Sequence, residues 1–167
     1  QLISGTHGRG QTIKARIGGD ADGRIPGVHI EIAGDLGAYP STGSRVPFFT
    51  QYMGQGQYDI DYVETRAVVA VTNKAPTGPY RGAGRPEAAI AIERAVDAFA
   101  VEIGMRPEEV RRRNYIPSSR LPFTTATGAI YDSGDYAAAL ELALETVGME
   151  RWRSEQERRR SKGLNPI

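Results

Sequence analysis

Arg81 and Arg85 bracket the turn Gly82-Ala83-Gly84, within the segment Pro76-Thr77-Gly78-Pro79-Tyr80-Arg81-Gly82-Ala83-Gly84-Arg85-Pro86-Glu87. Cations beside a backbone that a ligand can approach closely make a site for a phosphate, an oxyanion or an oxo group. Glycine at 82 and 84 permits positive φ. Pro86 suits the first turn of a helix, where a missing N–H costs nothing. The start of that helix carries the positive end of its dipole and favours anions. The same residues also read as a plain loop that begins a helix, and composition does not separate the two readings. Two known phosphate loops are excluded. A Walker loop needs Gly-Lys-Ser/Thr, which is absent, and Glu87 stands where a dinucleotide fingerprint needs its third glycine.

Other residues carry weaker signals. His7 and His29 are the only histidines, and they lack the helical spacing or carboxylate pattern of a metal site. His29 is expected on the exposed face of a strand. Asp20 and Asp22 resemble the start of a calcium loop, but the later glutamate ligand is missing, so a hairpin turn is the ordinary reading. Arg111-Arg112-Arg113 could meet phosphates. A solvated helical face with one arginine turned inward to an acidic partner is the more ordinary reading. The basic run 151–162 holds a single aromatic, Trp152, and no aromatic–basic alternation that would support base stacking, so a charged surface is the ordinary reading.

The elements that must position the glycine turn follow from periodicity. Thr12 to Ile17 is a candidate strand, Gly19-Asp20-Ala21-Asp22-Gly23 a turn, and Val28, Ile30 and Ile32 alternate with His29 and Glu31 as in a half-buried strand. Together they predict a β-hairpin. Residues 40–58 read as a long irregular loop, and Tyr62 to Thr72 as a further strand that feeds the Arg81 loop. Ala89, Ile92, Val96, Phe99 and Ile103 form one apolar helical stripe. Gly104 ends that helix, and Pro107 opens another through Arg113. After an irregular stretch, Ser133 is expected to cap a third helix, with Tyr136, Leu140, Ala143, Leu144 and Val147 as its buried face and Gly148 at its end. The fold class is therefore α+β: a β-rich half, residues 1–75, a loop at 76–87, a helical part at 88–148, and a charged C-terminal tail at 149–167.

With 167 residues the chain can bury a core. A charged fraction of 25% with net charge +1 gives no field that points to nucleic acid. No apolar run reaches membrane-spanning length, and no signal peptide is visible. The absence of cysteine removes disulfides and thiolate metal sites and fits a cytoplasmic protein.

Tyr80-Arg81-Gly82-Ala83-Gly84-Arg85-Pro86-Glu87-Ala88 resembles the active-site loop of the molybdenum hydroxylase large subunits. These include xanthine dehydrogenase, aldehyde oxidase and the large chain of carbon monoxide dehydrogenase. Further landmarks resemble the family in its own order. They are His7-Gly8-Arg9-Gly10-Gln11, Asp22-Gly23-Arg24-Ile25, Asp35-Leu36-Gly37-Ala38-Tyr39, Gly56-Gln57-Tyr58 and Thr72-Asn73-Lys74. Ile92-Glu93-Arg94-Ala95-Val96-Asp97, Glu109-Val110-Arg111-Arg112-Arg113-Asn114 and Tyr131-Asp132-Ser133-Gly134-Asp135-Tyr136 continue the series. The likeness covers most of residues 5–147.

The resemblance implies a molybdopterin cofactor, in its cytosine dinucleotide form, held against Tyr80, Arg81, Gly82, Ala83, Gly84 and Arg85, with the backbone N–H groups of Gly82 and Ala83 facing oxygen ligands. It implies hydroxylation of an aldehyde or heterocycle, with electrons leaving through iron–sulfur and flavin (FAD) subunits or domains. Where the carbon monoxide dehydrogenases carry a copper-binding cysteine, this chain has Gly82. Where xanthine dehydrogenases place an aromatic wall, it has Ala83, which suggests a wider pocket. The family's Gly-x-Gly-Glu, which bears the catalytic glutamate, does not occur here. The resemblance thus implies a fragment that holds part of a cofactor site, with no catalytic base and no metal ligand of its own. A non-redox anion- or nucleotide-binding module and a structural assembly domain are the other readings.

Overall fold

Alternating side chains build the expected hairpin. In the computed structural model, which describes residues 5–165, β1 (Gln11–Gly18) pairs antiparallel with β2 (Gly27–Asp35), Ile13 opposite Ile32 and Ile17 opposite Val28. The outermost ends of the sequence ranges given above, residues 1–4 and 166–167, lie outside the described residues. Asp20 closes the turn, its carboxylate accepting the Arg24 N–H at 3.0 Å, while Gly23 takes φ 83°. A hairpin turn, and not a calcium loop, is what this aspartate serves.

β3 (Tyr62–Ala70) pairs parallel with β2, so the sheet order is β1-β2-β3. Parallel neighbours need a connection that returns to the starting end of the sheet. Residues 40–58, expected above to be irregular, supply it with a 3₁₀ turn (Thr42–Arg45) and the helix α1 (Val46–Tyr52). Pro47 sits in the first turn of α1, and Val46, Pro47 and Thr50 face inward. Exposed Phe48 beside those residues blurs the apolar stripe, which hid the helix from periodicity.

The core lies between one sheet face and α2 (Arg85–Glu102). Ile92, Val96 and Ala100 are at most 1% exposed, and they meet Val28, Ile30 and Ile32. Each buried Ile or Val stabilises the fold by about 1.5–3 kcal/mol. The stripe begins at Ala88; Ala89, expected within it, is exposed, and Phe99 and Ile103 are half-buried. An 88-92-96-100 spacing is a straight i,i+4 row, which the alanine-rich first turns left open. Gly104 (φ 67°) follows α2, and α3 (Pro107–Asn114) begins at its proline. Asn114 on α3 ties the hairpin turn to the core, accepting from Ile25 N at 2.8 Å and donating to Gly23 O at 2.7 Å. The stretch after α3 carries a short antiparallel pair, β4 (Phe123–Thr124) and β5 (Ile130–Tyr131).

All of these elements belong to one unit, residues 1–134; a second unit spans 135–167. In the latter, α4 (Tyr136–Val147) and α5 (Met149–Ser161) join at Gly148, φ 64°. The cap of α4 is Asp135, whose carboxylate accepts from Ala138 N at 2.9 Å. Ser133, the expected cap, donates to Asp132 instead. A carboxylate one residue before the helix reaches its N–H groups, and a serine three residues before does not. Of the face expected for α4, Tyr136, Leu140 and Leu144 are half-buried, while Ala143 and Val147 are exposed. The charged stretch 149–161 is helical, with the acid–base pair Glu155 and Arg158 on its surface. Among the described residues no helix is long and apolar enough to cross a membrane.

Candidate functional site

The glycine turn sits at the mouth of α2. Gly82, Ala83 and Gly84 have φ of 95°, 37° and 88°, a run of left-handed residues that only glycine adopts without cost. Ala83 N–H donates to Tyr80 O at 2.8 Å, and Arg85 N–H to Gly82 O at 3.1 Å. The Ala83 amide, expected above to face a ligand oxygen, thus closes the turn. A Cβ on Gly82 would lie 2.8 Å from Pro86 Cδ and Cγ. A Cβ on Gly84 would lie 2.6 Å from Thr50 N and 2.7 Å from Val46 O, because the turn rests on α1. Tyr80, Arg81 and Arg85 are exposed, Gly82 and Ala83 half-buried, and Gly84 buried. The six residues predicted from the sequence therefore share one turn, with both cations turned outward beside a helix start.

Residues from the far N-terminal segment complete the place. His7 N–H donates to Pro76 O at 3.0 Å and Gly78 N–H to His7 O at 2.9 Å, which lays residues 7–10 alongside 76–78. That alignment brings the Arg9 guanidinium to Glu87 Oε2 at 2.9 Å, to the carbonyl of Arg81 at 2.9 Å and to 5.1 Å from the centre of the Tyr80 ring. Nearby, Gln11 Oε1 accepts from the Thr50 hydroxyl at 3.0 Å. Among the described residues, Gln11 Nε2 is the buried side-chain nitrogen without a hydrogen-bond partner. A groove of about 420 Å³ opens here, lined by Arg9, Gln11, Ile13, Glu87, Ile90 and other residues of β1 and α2.

Asp35 fixes the approach to the turn. Its carboxylate accepts from Lys74 Nζ at 2.8 Å, Thr72 Oγ1 at 2.7 Å and Gly37 N at 2.9 Å. Its carbonyl accepts from Thr77 Oγ1 at 2.8 Å. The Lys74 hydrogen bond, then those of Thr72 and Gly37, hold the Asp35 carboxyl well below the usual aspartate range.

Arg9, Gln11, Thr50 and Glu87 were not assigned to the site from sequence. The glycines around Arg9 in His7-Gly8-Arg9-Gly10-Gln11 were the available signal, since a long cation between two glycines is unusual, but its partner across the chain is not written locally. The remaining candidates lie elsewhere. Arg111 turns inward to Glu93 and Asp97, as the ordinary reading has it. His29 lies 3.1 Å from Arg16 Nη1 on the outer sheet face. Among the described residues no cluster of three or more His, Cys, Asp or Glu could hold a metal ion.

The family model described as molybdopterin cofactor-binding domain matches residues 1–115. The chain belongs to the molybdopterin cofactor-binding domain family. It is 37% identical over 149 residues to the carbon monoxide dehydrogenase large chain of Hydrogenophaga pseudoflava, across 87% of this chain and 19% of that one. It is 33% identical over 168 residues to subunit gamma of the 6-hydroxypseudooxynicotine dehydrogenase complex of Paenarthrobacter nicotinovorans, across 97% and 21%. The crystal structure of quinoline 2-oxidoreductase from Pseudomonas putida 86 superposes with a TM-score of 0.89 at 30% identity, across 97% of this chain and 21% of that one. The chain thus spans about a fifth of the length of these relatives.

Proposed function

We propose that this domain forms part of the cofactor site in the large subunit of a molybdenum oxidoreductase that hydroxylates aldehydes or nitrogen heterocycles. The observation that carries the reading is the left-handed run at residues 82–84, opening the mouth of α2 between exposed Arg81 and Arg85 in a molybdopterin-binding family. The residues fit such a group. The backbone at Gly82 has no side chain to hold a ligand off, and the two arginines and the helix start favour negative charge. Tyr80, Arg81, Gly82, Ala83, Gly84 and Arg85 would hold the molybdenum end of the cofactor, in its cytosine dinucleotide form.

When bound, the cofactor supplies the oxygen transfer and takes up the electrons of hydroxylation. The chain's own residues position it: Arg81 and Arg85 place charge, and the rigid turn presents preorganised backbone. Copper chemistry does not suit the loop, because Gly82 offers no thiolate and the chain has no cysteine. Two of the relatives are named for quinoline and for 6-hydroxypseudooxynicotine, which supports a heterocyclic substrate; others are carbon monoxide dehydrogenases, and it is Gly82 in the copper ligand's place that weighs against that chemistry. Ala83 leaves room for a bulky ring. One relative is a subunit of a dehydrogenase complex, which supports iron–sulfur and flavin partners for electron exit. The cytoplasm is the compartment that suits such an assembly. A non-redox anion module and an assembly domain leave the family match unaccounted for. Residues 1–148 would make up the cofactor-domain portion and 149–167 its charged extension, although the compact units divide earlier, after residue 134.

The test uses the complete subunit. Gly82→Val abolishes dye-linked hydroxylation and lowers molybdenum content, and Arg81→Lys lowers activity with the fold intact. The 167-residue chain alone reduces no acceptor dye. Full metal content together with full turnover in Gly82→Val would remove the turn from the cofactor.

A further inference from the structure

Three groups bind the Arg9 guanidinium, and all three belong to the turn or the first helical turn behind it. Nη1 donates to Glu87 Oε2 and Nη2 to the Arg81 carbonyl, each at 2.9 Å, while the cation lies 5.1 Å from the Tyr80 ring centre. The contacts cross 78 and 72 positions of sequence, so they are not a local helix pair. The backbone is shaped to deliver them. Arg9 itself has φ 60°, which a non-glycine residue adopts at a cost. A Cβ on Gly8 would lie 2.8 Å from Tyr80 Cβ, and one on Gly10 would lie 3.2 Å from Asp35 O. The Glu87 side chain is only 8% exposed, so its carboxylate depends on a nearby cation.

We infer that Arg9 is a positioning residue for the 80–87 turn, and that it aims the Gly82 N–H. The peptide unit is planar and, between 81 and 82, trans. Its C=O and N–H therefore point in opposite directions. By holding the Arg81 carbonyl, Arg9 turns the Gly82 N–H to the opposite side, away from its own guanidinium. That N–H is the donor available to an oxygen ligand, since the Ala83 amide is engaged with Tyr80. A guanidinium reaches a carboxylate and a carbonyl at once through separate nitrogens of one rigid plane; an ammonium does not. The aim of the donor rests on the proposed function, whereas the clamp on the turn does not.

Hydrogen exchange in the full chain tests the clamp, and the complete subunit tests the aim. Arg9→Met speeds exchange at the Ala83 and Arg85 amides about tenfold or more, the change expected for losing a charge-assisted hydrogen bond. Exchange in β2 stays as in the parent. Arg9→Lys keeps a charge for Glu87 and gives an intermediate rise, which guards against a variant that fails to fold. Arg16→Gln, on the outer sheet face, leaves the turn unchanged. In the complete subunit, Arg9→Lys lowers kcat more than it raises KM and alters the molybdenum electron paramagnetic resonance signal. Unchanged exchange at Ala83 and Arg85 in Arg9→Met would overturn the clamp. Faster exchange with an unaltered molybdenum signal and full kcat would leave the clamp standing and overturn the aim, whereas the cofactor reading falls separately, on full metal content and full turnover in Gly82→Val.

Discussion

Arg111 grips Glu93 with two nitrogens on one carboxylate oxygen, Nε at 2.8 Å and Nη2 at 2.6 Å. The second oxygen of Glu93 accepts from Tyr58 Oη at 2.9 Å and Gln57 Nε2 at 3.1 Å. The third guanidinium nitrogen reaches Asp97 at 2.9 Å. This network locks α3 onto α2 and seats the fully buried Tyr58, whose phenol is pushed up by burial and by the Glu93 charge.

Removing Arg111 strands that carboxylate in a half-buried place. Arg111→Ala lowers unfolding free energy by about 2–4 kcal/mol, toward the range for breaking a buried pair. Arg112→Ala lowers it by less than Arg111→Ala does, because the pair of Arg112 with Glu109 is an exposed i,i+3 contact at 3.4 Å. Urea denaturation of both variants checks the contrast, and equal losses would contradict the inward role of Arg111.

Val96 has no exposed surface and faces the sheet. Val96→Asp places an unpaired charge there, at a cost of several kcal/mol, on the order of a domain's whole stability margin. The variant should lose its cooperative thermal transition by circular dichroism.

Gly84 and Gly104 both have positive φ, but only Gly84 is crowded by backbone atoms; nothing lies within 4 Å of a Cβ on Gly104. Gly104→Ala therefore costs about 1 kcal/mol from backbone conformation alone. Gly84→Ala costs more, about 2–4 kcal/mol, because α1 must also move. Paired denaturation curves decide whether the turn rests on α1 as tightly as the distances say.

Asp35 predicts a pH dependence. Its carboxyl is held below the ordinary aspartate value by Lys74 first, then Thr72 and Gly37. A group whose folded value is depressed contributes stability that is complete above its unfolded value, near pH 4, and is lost as pH falls through the folded one. Asp35→Asn should thus have a lower Tm than the parent at neutral pH, and the gap should narrow as pH falls below about 4. A gap that widens in acid would show that the carboxylate is not what Lys74 stabilises.

Local rules were enough for part of this protein. The period of Val28, Ile30 and Ile32 set the hairpin, the stripe through Ile92 and Val96 set α2, and Pro107 set the start of α3. The glycines at 82 and 84 marked a turn with positive φ, since sterics confine such backbone almost wholly to glycine. Those features depend on neighbours a few residues apart, and the sequence displays them directly. Other features exist only once distant segments meet. Arg9 on Glu87, Asp35 on Lys74, α1 beneath Gly84 and the parallel seat of β3 beside β2 each close a long stretch of chain. Closure costs conformational entropy and is repaid only by the whole core, so no local pattern announces it. The face of α4 shows the same limit from the other side: its periodicity was plain, but how deeply Tyr136, Leu140 and Leu144 are buried depends on what lies opposite, and that is decided by the tertiary structure alone.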